Sequence, residues 1–99
     1  MDELLFVYGS LRDSKVQLEI IGRLVDGTPD ILLGYDTSTV KLYEQIYPIL
    51  VPKRNGVING EVLRLTKDEL AKIDIYETDA YRRVKITLKS GLEVWVYMK

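Results

Sequence analysis

The chain has 99 residues, the length of one domain, and we predict a single domain over residues 1–99. Its formal net charge of -1, from 14 basic and 15 acidic residues, lacks the positive field that nucleic-acid binding needs. Cysteine and histidine are both absent, which excludes thiolate catalysis, serine–histidine pairs and metal sites built from either residue. The lack of cysteine also suits a cytoplasmic location.

The first predicted unit is a strand, a tight loop and a short helix. Residues 4–8 form a continuous apolar and aromatic run, which is typical of a central strand covered on both faces. Ser14 and Gln17 then have the spacing of a capping box, in which each side chain satisfies the backbone of the other. We therefore predict a helix over about residues 15–21, with Gly22 just past its C-terminal end.

The middle of the chain is broken by glycine and proline and lacks helical periodicity. Here we predict short irregular strands near residues 31–35, 38–43 and 49–52. Asn55-Gly56 is a turn signal, and the alternation that follows it predicts a strand over residues 57–65.

A second helix is predicted over about residues 67–76, because Thr66 and Glu69 form another capping box. Residues at helical spacing give this helix an inward stripe: Leu70, Ile73 and Glu77. The last residue of this otherwise apolar stripe is therefore a carboxylate.

The C-terminal part predicts a β-hairpin, with strands over residues 81–88 and 92–98 around a turn. Its basic residues alternate with apolar ones as on a solvated strand face, so we favour this interpretation over an RNA-binding surface. The predicted fold class is α+β, with a mixed β-sheet curled into a partial barrel and two short flanking helices. No apolar run is long enough for a membrane span, so no membrane partner is expected.

The loop Tyr8-Gly9-Ser10-Leu11 is the first candidate binding site. Gly9 lets the backbone come close to a ligand, and the free N–H groups at the start of the following helix can hold a carboxylate or an oxyanion. An ordinary strand-to-helix turn is the alternative interpretation. Ser10 is a poor candidate nucleophile, because the chain has no histidine to activate it.

Glu77 is the second candidate. A carboxylate on the core side of a helix end is desolvated, so its pKa should rise toward the range that a general base needs. The alternative is a surface ion pair with Arg82 or Arg83. The remaining carboxylates near this helix fit a solvated face or a cap: Asp68, Glu69, Asp74 and Asp79. No group of acids has metal-site spacing, so we expect neither a metal nor another cofactor.

Five segments follow one another in an order that resembles the γ-glutamylcyclotransferase-like family, in particular its small avirulence-induced-protein-like members. They are Val7-Tyr8-Gly9-Ser10-Leu11-Arg12, Tyr47-Pro48-Ile49-Leu50, Gly60-Glu61-Val62, Ile73-Asp74-Ile75-Tyr76-Glu77 and Tyr81-Arg82-Arg83. The resemblance covers the chain nearly end to end, and it implies a small barrel with flanking helices.

The resemblance also implies an enzyme that converts a γ-glutamyl amine or peptide into 5-oxoproline and a free amine. The N–H groups of Gly9, Ser10 and Leu11 would bind the γ-glutamyl group, and Glu77 would take a proton from its α-ammonium group. The freed amine would attack the γ-carbonyl, and the same carboxyl group would protonate the leaving group. Such chemistry needs no cofactor, because the substrate supplies its own nucleophile.

We add four side chains to the candidate substrate-binding residues, namely Tyr8, Tyr47, Arg83 and Tyr97. Arg83 matches the Tyr-x-Arg pattern of the family, with a structural role as the alternative. Tyr8 and Tyr97 could each place a hydroxyl in the site, although strand aromatics usually belong to the core. In two places the chain departs from the family pattern. Thr78 stands where relatives commonly have Gly, and Asp13-Ser14 replaces the usual Gly after the loop arginine.

An alternative function is a non-catalytic barrel of the same fold that binds a small carboxylated metabolite. The sequence leaves open the leaving group, the choice between these two functions and the oligomeric state.

Overall fold

The computed structural model describes residues 2–98, apart from the side chains of Leu42, Tyr47 and Asp79. These residues form a mixed sheet with two α-helices. In chain order the elements are β1 (Glu3–Val7), α1 (Ser14–Ile20), β2 (Thr28–Leu42), β3 (Gln45–Leu65), α2 (Lys67–Glu77), β4 (Arg82–Thr87) and β5 (Glu93–Met98). Two short 3-10 turns, Ser10–Arg12 and Thr78–Ala80, precede α1 and follow α2.

The sheet is open, with the strand order β2-β3-β1-β5-β4. Within residues 2–98 the edge strands β2 and β4 do not pair, so the sheet does not close. The prediction of a mixed, curled sheet is confirmed, whereas the small barrel that the resemblance implied is wrong. The turn after β4 nevertheless reaches β2. The Lys89 N–H donates to the carbonyl oxygen of Ile31 at 2.8 Å, and the Ser90 hydroxyl donates to Asp30 at 2.6 Å.

Strand β1 lies at the centre of the sheet, as predicted from its continuous apolar run. It pairs antiparallel with β3 and parallel with β5, and Leu5, Phe6 and Val7 are buried. Because side chains alternate between the faces of a strand, β1 contributes to two apolar clusters. Leu5 and Val7 pack toward the two helices, whereas Phe6 packs into a second cluster on the opposite face of the sheet.

Helix α1 is capped differently from the prediction. The Asp13 carboxylate, not the Ser14 hydroxyl, accepts the Lys15 N–H at 2.8 Å, so the Ser14–Gln17 capping box is wrong. Gln17 is buried instead. Its amide donates to the carbonyl oxygen of Leu11 at 2.9 Å and accepts the Val25 N–H at 2.9 Å, which ties together the segments on either side of α1.

Strands β2 and β3 form one long hairpin where short irregular strands were predicted. Its turn lies at Tyr43 and Glu44, which both have positive φ. Asn55-Gly56, predicted to be a turn, lies inside β3 near a register shift opposite Gly34. The positive φ values of Asn55 (63°) and Gly34 (86°) are absorbed in this bulge, so the strands continue past residues that usually end them.

Helix α2 begins at the predicted capping box. The Glu69 N–H donates to the Thr66 hydroxyl at 3.1 Å, and the Thr66 N–H donates to the Glu69 carboxylate at 2.9 Å. Leu70 and Ile73 are buried, and Glu77, the last residue of α2, is half-buried. The predicted inward stripe is therefore confirmed. Among the described residues, no helix is long and apolar enough to cross a membrane.

Candidate active site

A cavity of about 410 Å³ opens beside the C-terminal end of β1. Three parts of the fold meet there, because β1 ends next to β5 in the sheet and α2 packs over the same region. The lining residues include the loop from Tyr8 to Leu11, Glu77, and the tyrosines at 76, 81 and 97. The cavity thus brings together both sites that were predicted separately, the loop and Glu77.

The loop leaves two backbone donors available at the cavity. In the 3-10 turn the Arg12 N–H donates to the carbonyl oxygen of Gly9 at 3.1 Å, and the Asp13 N–H donates to that of Ser10 at 2.9 Å. The Ser10 and Leu11 N–H groups precede these in the turn and have no acceptor among the described residues. Such donors can bind a carboxylate or a developing oxyanion.

Gly9 is not required by the packing of the protein itself. A Cβ atom added to Gly9 would meet no atom within 4 Å. Space at the Gly9 Cα therefore faces outward, toward whatever approaches the loop.

Glu77 is half-buried, and its carboxylate has neither an ion pair nor a hydrogen bond with the parts of the chain that the structure describes. Burial raises its pKa to about 7, because it disfavours the charged form and no donor among the described residues compensates for the lost hydration. The alternative of a surface ion pair is wrong, since Arg83 pairs with Asp74 and Arg82 forms no salt bridge with Glu77. A carboxyl group with this pKa can both accept and donate a proton near neutrality.

Tyr8 and Tyr97 line the cavity, but their hydroxyls have partners within the protein. The Tyr8 hydroxyl donates to the backbone carbonyl of Tyr97 at 3.1 Å, and the Tyr97 hydroxyl donates to the Asp74 carboxylate at 2.6 Å. Burial raises the pKa of both phenols, so both are neutral near pH 7. Both hydroxyls are therefore already bound within the protein.

Two further tyrosines complete this wall, and the predicted substrate-binding residues did not include them. The Tyr81 hydroxyl donates to the carbonyl oxygen of Pro48 at 2.7 Å, which holds the β2–β3 hairpin against the cavity. The Tyr76 and Ser10 hydroxyl oxygens are 3.2 Å apart. Both tyrosines lie inside segments that carry the family resemblance, so those segments could have identified them as site residues.

Arg83 lies outside this cavity. It lines a neighbouring cavity of about 590 Å³, which shares Thr78, Tyr81 and Tyr97 with the first. There its guanidinium group donates to the two oxygens of Asp74 at 2.6 and 2.9 Å. The side chain of Tyr47 is outside the described part of the structure.

Asp74 is the polar residue near the site whose role was missed, because it was predicted to lie on a solvated helix face. Burial disfavours its charged form, but the hydrogen bonds from Arg83 and Tyr97 outweigh that effect and lower its pKa below the usual range. Its partners come from β4 and β5, so helical spacing alone did not reveal them.

Comparisons with known proteins show which sequences and structures this chain is similar to. The family model described as "Gamma-glutamyl cyclotransferase, AIG2-like" matches residues 5–99. AIG2-like protein C of Arabidopsis thaliana is 36% identical over 80 residues, which cover 80% of this chain and 45% of that protein. This chain spans about half the length of the relatives it matches.

Solved structures show the same fold. The solution structure of an Arabidopsis thaliana protein has a TM-score of 0.80 and 30% identity, covering 99% of this chain and 62% of that one. A structure named gamma-glutamyl cyclotransferase has a TM-score of 0.76, covering 99% of this chain and 66% of the other. Its identity of 14% makes it a likeness of fold alone.

Proposed function

Since this chain belongs to the gamma-glutamyl cyclotransferase, AIG2-like family, we propose that it is an enzyme that cyclises a γ-glutamyl amine to 5-oxoproline and releases the amine. The observation that carries the proposal is the shared cavity. Ser10 and Leu11, whose N–H groups have no acceptor among the described residues, line the same cavity as the half-buried Glu77. They match the two requirements of the reaction, an oxyanion site and a proton carrier.

In the proposed reaction the γ-glutamyl group lies between the loop and Glu77. The ionised Glu77 takes a proton from the α-ammonium group, and the α-nitrogen attacks the γ-carbonyl carbon to form the ring C–N bond. The loop N–H groups bind the oxyanion of the tetrahedral intermediate. Breakdown of the intermediate breaks the bond to the leaving nitrogen. Glu77 carries protons from the α-nitrogen to this nitrogen and ends in its starting state.

The raised pKa of Glu77 supports its proposed use both as a proton acceptor and as a proton donor. A carboxyl group with an ordinary pKa near 4.3 is a weak base at neutral pH and almost never holds a proton to donate. With a pKa of about 7, Glu77 exists in both forms at neutral pH. The cause of the shift is burial of the carboxyl group, so the raised pKa depends on how α2 is packed.

The charge of the cavity favours a simple amine over an amino acid as the leaving group. Glu77 must reach the leaving nitrogen, so a carboxylate on the adjacent carbon would lie close to the Glu77 carboxylate. Among the described residues that line the cavity there is no lysine or arginine to balance this repulsion. The surrounding tyrosine rings instead offer an apolar surface to the leaving group.

The experiment measures 5-oxoproline release from γ-glutamyl alkylamines, γ-glutamyl anilides and γ-glutamyl dipeptides. Glu77→Gln keeps the shape of the side chain but removes the proton carrier, and we expect a loss of about 10² to 10⁴ in rate. Glu19→Gln, the same change on the exposed face of α1, is the control and keeps full activity.

Equal release by the wild type and Glu77→Gln would remove Glu77 from the mechanism. No release from any compound, together with saturable binding of 5-oxoproline, would favour the non-catalytic metabolite-binding alternative. A cytoplasmic location is part of the proposal, supported by the lack of cysteine and tested by cell fractionation.

A further inference from the structure

Asp74, Arg83 and Tyr97 form a hydrogen-bonded group on the outer side of the cavity wall. We propose that Asp74 and Arg83 are positioning residues, which hold Tyr97 and, through Tyr97, Tyr8 in place around the reacting groups. The proposal rests on the proposed cyclotransferase function.

The pairing of Asp74 with Arg83 fixes the orientation of the carboxylate. The Arg83 Nε donates to Asp74 Oδ1 at 2.6 Å, and an Nη donates to Oδ2 at 2.9 Å. Two parallel hydrogen bonds of this kind fix a carboxylate in direction as well as in distance. Arg83 is itself held, because its guanidinium carbon lies 4.4 Å from the centroid of the Trp95 ring. Trp95 in turn donates its indole N–H to Glu3 at 3.1 Å.

The oriented Asp74 carboxylate then holds Tyr97. The Tyr97 hydroxyl donates to Asp74 Oδ1 at 2.6 Å, so β5 is joined to α2 at the helical turn that carries Glu77. Asp74 and Glu77 are three residues apart, which places them on neighbouring positions of the helix surface. The bond from Tyr97 therefore limits how far the cavity wall can move relative to Glu77.

A second link continues from Tyr97 to the loop. The Tyr8 hydroxyl donates to the backbone carbonyl of Tyr97 at 3.1 Å, and Tyr8 is the residue immediately before Gly9. The connected series runs from Arg83 through Asp74 and Tyr97 to Tyr8. It joins the helix that carries the proton carrier to the loop that carries the oxyanion donors.

The exposure of the ion pair indicates that stability is not its main contribution. The side chains of Arg83 and Asp74 are 25% and 38% exposed, and ion pairs at the surface add little to stability. The chain offers a matched comparison in Lys53 and Asp36, which form an exposed ion pair at 3.1 Å on the β2–β3 hairpin. That pair has no link to a residue of the cavity, whereas the Asp74–Arg83 pair has one.

A double-mutant cycle on kcat and KM tests the proposal. Asp74→Ala and Tyr97→Phe remove the two ends of one hydrogen bond, and each lowers kcat by about tenfold while KM changes much less. The double variant is no slower than Asp74→Ala, because both changes remove the same bond.

Arg83→Lys keeps the charge but loses the two-pronged contact, so its kcat lies between that of the wild type and that of Asp74→Ala. Asp36→Ala is the control and has wild-type kcat. Losses that multiply in the double variant, or wild-type kcat in Tyr97→Phe, would overturn the proposal.

NMR of the aromatic rings gives a readout that does not depend on turnover. Asp74→Ala is expected to shift the ring signals of both Tyr97 and Tyr8, and Asp36→Ala is expected to shift neither. Unchanged Tyr8 signals in Asp74→Ala would overturn the positioning proposal. If the wild type releases no 5-oxoproline, the proposed function fails, and the NMR comparison still decides whether the connected series exists.

Discussion

Asp74 and Glu77 lie one turn apart on α2, and their pKa values are shifted in opposite directions. Burial disfavours the charged form of both. At Asp74 the hydrogen bonds from Arg83 and Tyr97 outweigh burial and lower the pKa, whereas Glu77 has no such donor among the described residues and its pKa rises to about 7. The same helix thus carries one carboxylate that is ionised near neutral pH and a second carboxyl group that exchanges protons there. Two carboxyl groups whose pKa values are shifted apart in this way are typical of acid–base sites.

The raised pKa of Glu77 predicts that this residue destabilises the fold at high pH. A carboxyl group whose pKa is higher in the folded state contributes stability at low pH, and the contribution is lost as pH rises through about 7. We therefore expect Glu77→Gln to raise the Tm by a few degrees at about pH 8, and by less as the pH falls toward 4. Thermal unfolding followed by circular dichroism measures both values. A lower Tm for Glu77→Gln at high pH would contradict the assigned burial of the charge.

Gly9→Ala is expected to separate function from stability. The added methyl group meets no atom within 4 Å in the protein, so the Tm should change little. Because Gly9 lines the cavity in which we propose that the γ-glutamyl group binds, kcat/KM should fall by about tenfold or more. Turnover and thermal unfolding of the same preparation test this together. Unchanged kcat/KM would mean that the substrate does not approach the loop at Gly9.

Thr78 has a backbone conformation that favours glycine, with φ 59° and ψ -164°. Non-glycine residues in this region carry strain of about 1–3 kcal/mol. We expect Thr78→Gly to be more stable than Thr78→Ala by about 1 kcal/mol, because both lose the hydroxyl but only alanine keeps the Cβ atom. Urea unfolding of the two variants measures the difference. Equal stabilities would show that Thr78 is not strained.

The cap of α1 gives a test of a corrected prediction. Asp13 accepts the Lys15 N–H, whereas Ser14 makes no capping hydrogen bond in the part of the chain that the structure describes. Asp13→Ala should therefore cost about 1 kcal/mol of unfolding free energy, and Ser14→Ala should cost much less. The reverse order in urea unfolding would restore the capping box that the sequence pattern indicates.

Elements defined by local patterns were predictable from the sequence. The run in β1, the capping box of α2 and the alternation in β4 and β5 depend on residues within a few positions of one another, and each prediction is confirmed. The β2–β3 hairpin was not predictable in this way. Asn55-Gly56 and Gly34 are turn-forming residues, and only the pairing of the two strands turns them into a bulge.

In the candidate site too, some features follow from local sequence patterns and others depend on the fold. The desolvation of Glu77 follows from its place on the inward stripe of α2, so its raised pKa was predictable from helical spacing. The links from Asp74 to Arg83 and Tyr97, and from Tyr97 to Tyr8, span up to 89 residues. The longest of them, between Tyr8 and Tyr97, exists because β1 lies beside β5 in the sheet, a pairing that no local pattern specifies. The hydroxyl roles considered for Tyr8 and Tyr97 therefore could not be judged before the fold was known.

The pH dependence of 5-oxoproline release from a γ-glutamyl alkylamine tests the central claim most directly, namely that Glu77 and the loop form one catalytic site. The account predicts that kcat/KM of the wild type falls on the acid side with an apparent pKa of about 7, as Glu77 becomes protonated. In Glu77→Gln the residual rate should show no such acid limb. An acid limb of unchanged position in Glu77→Gln would assign the proton transfer to another group and contradict the claim.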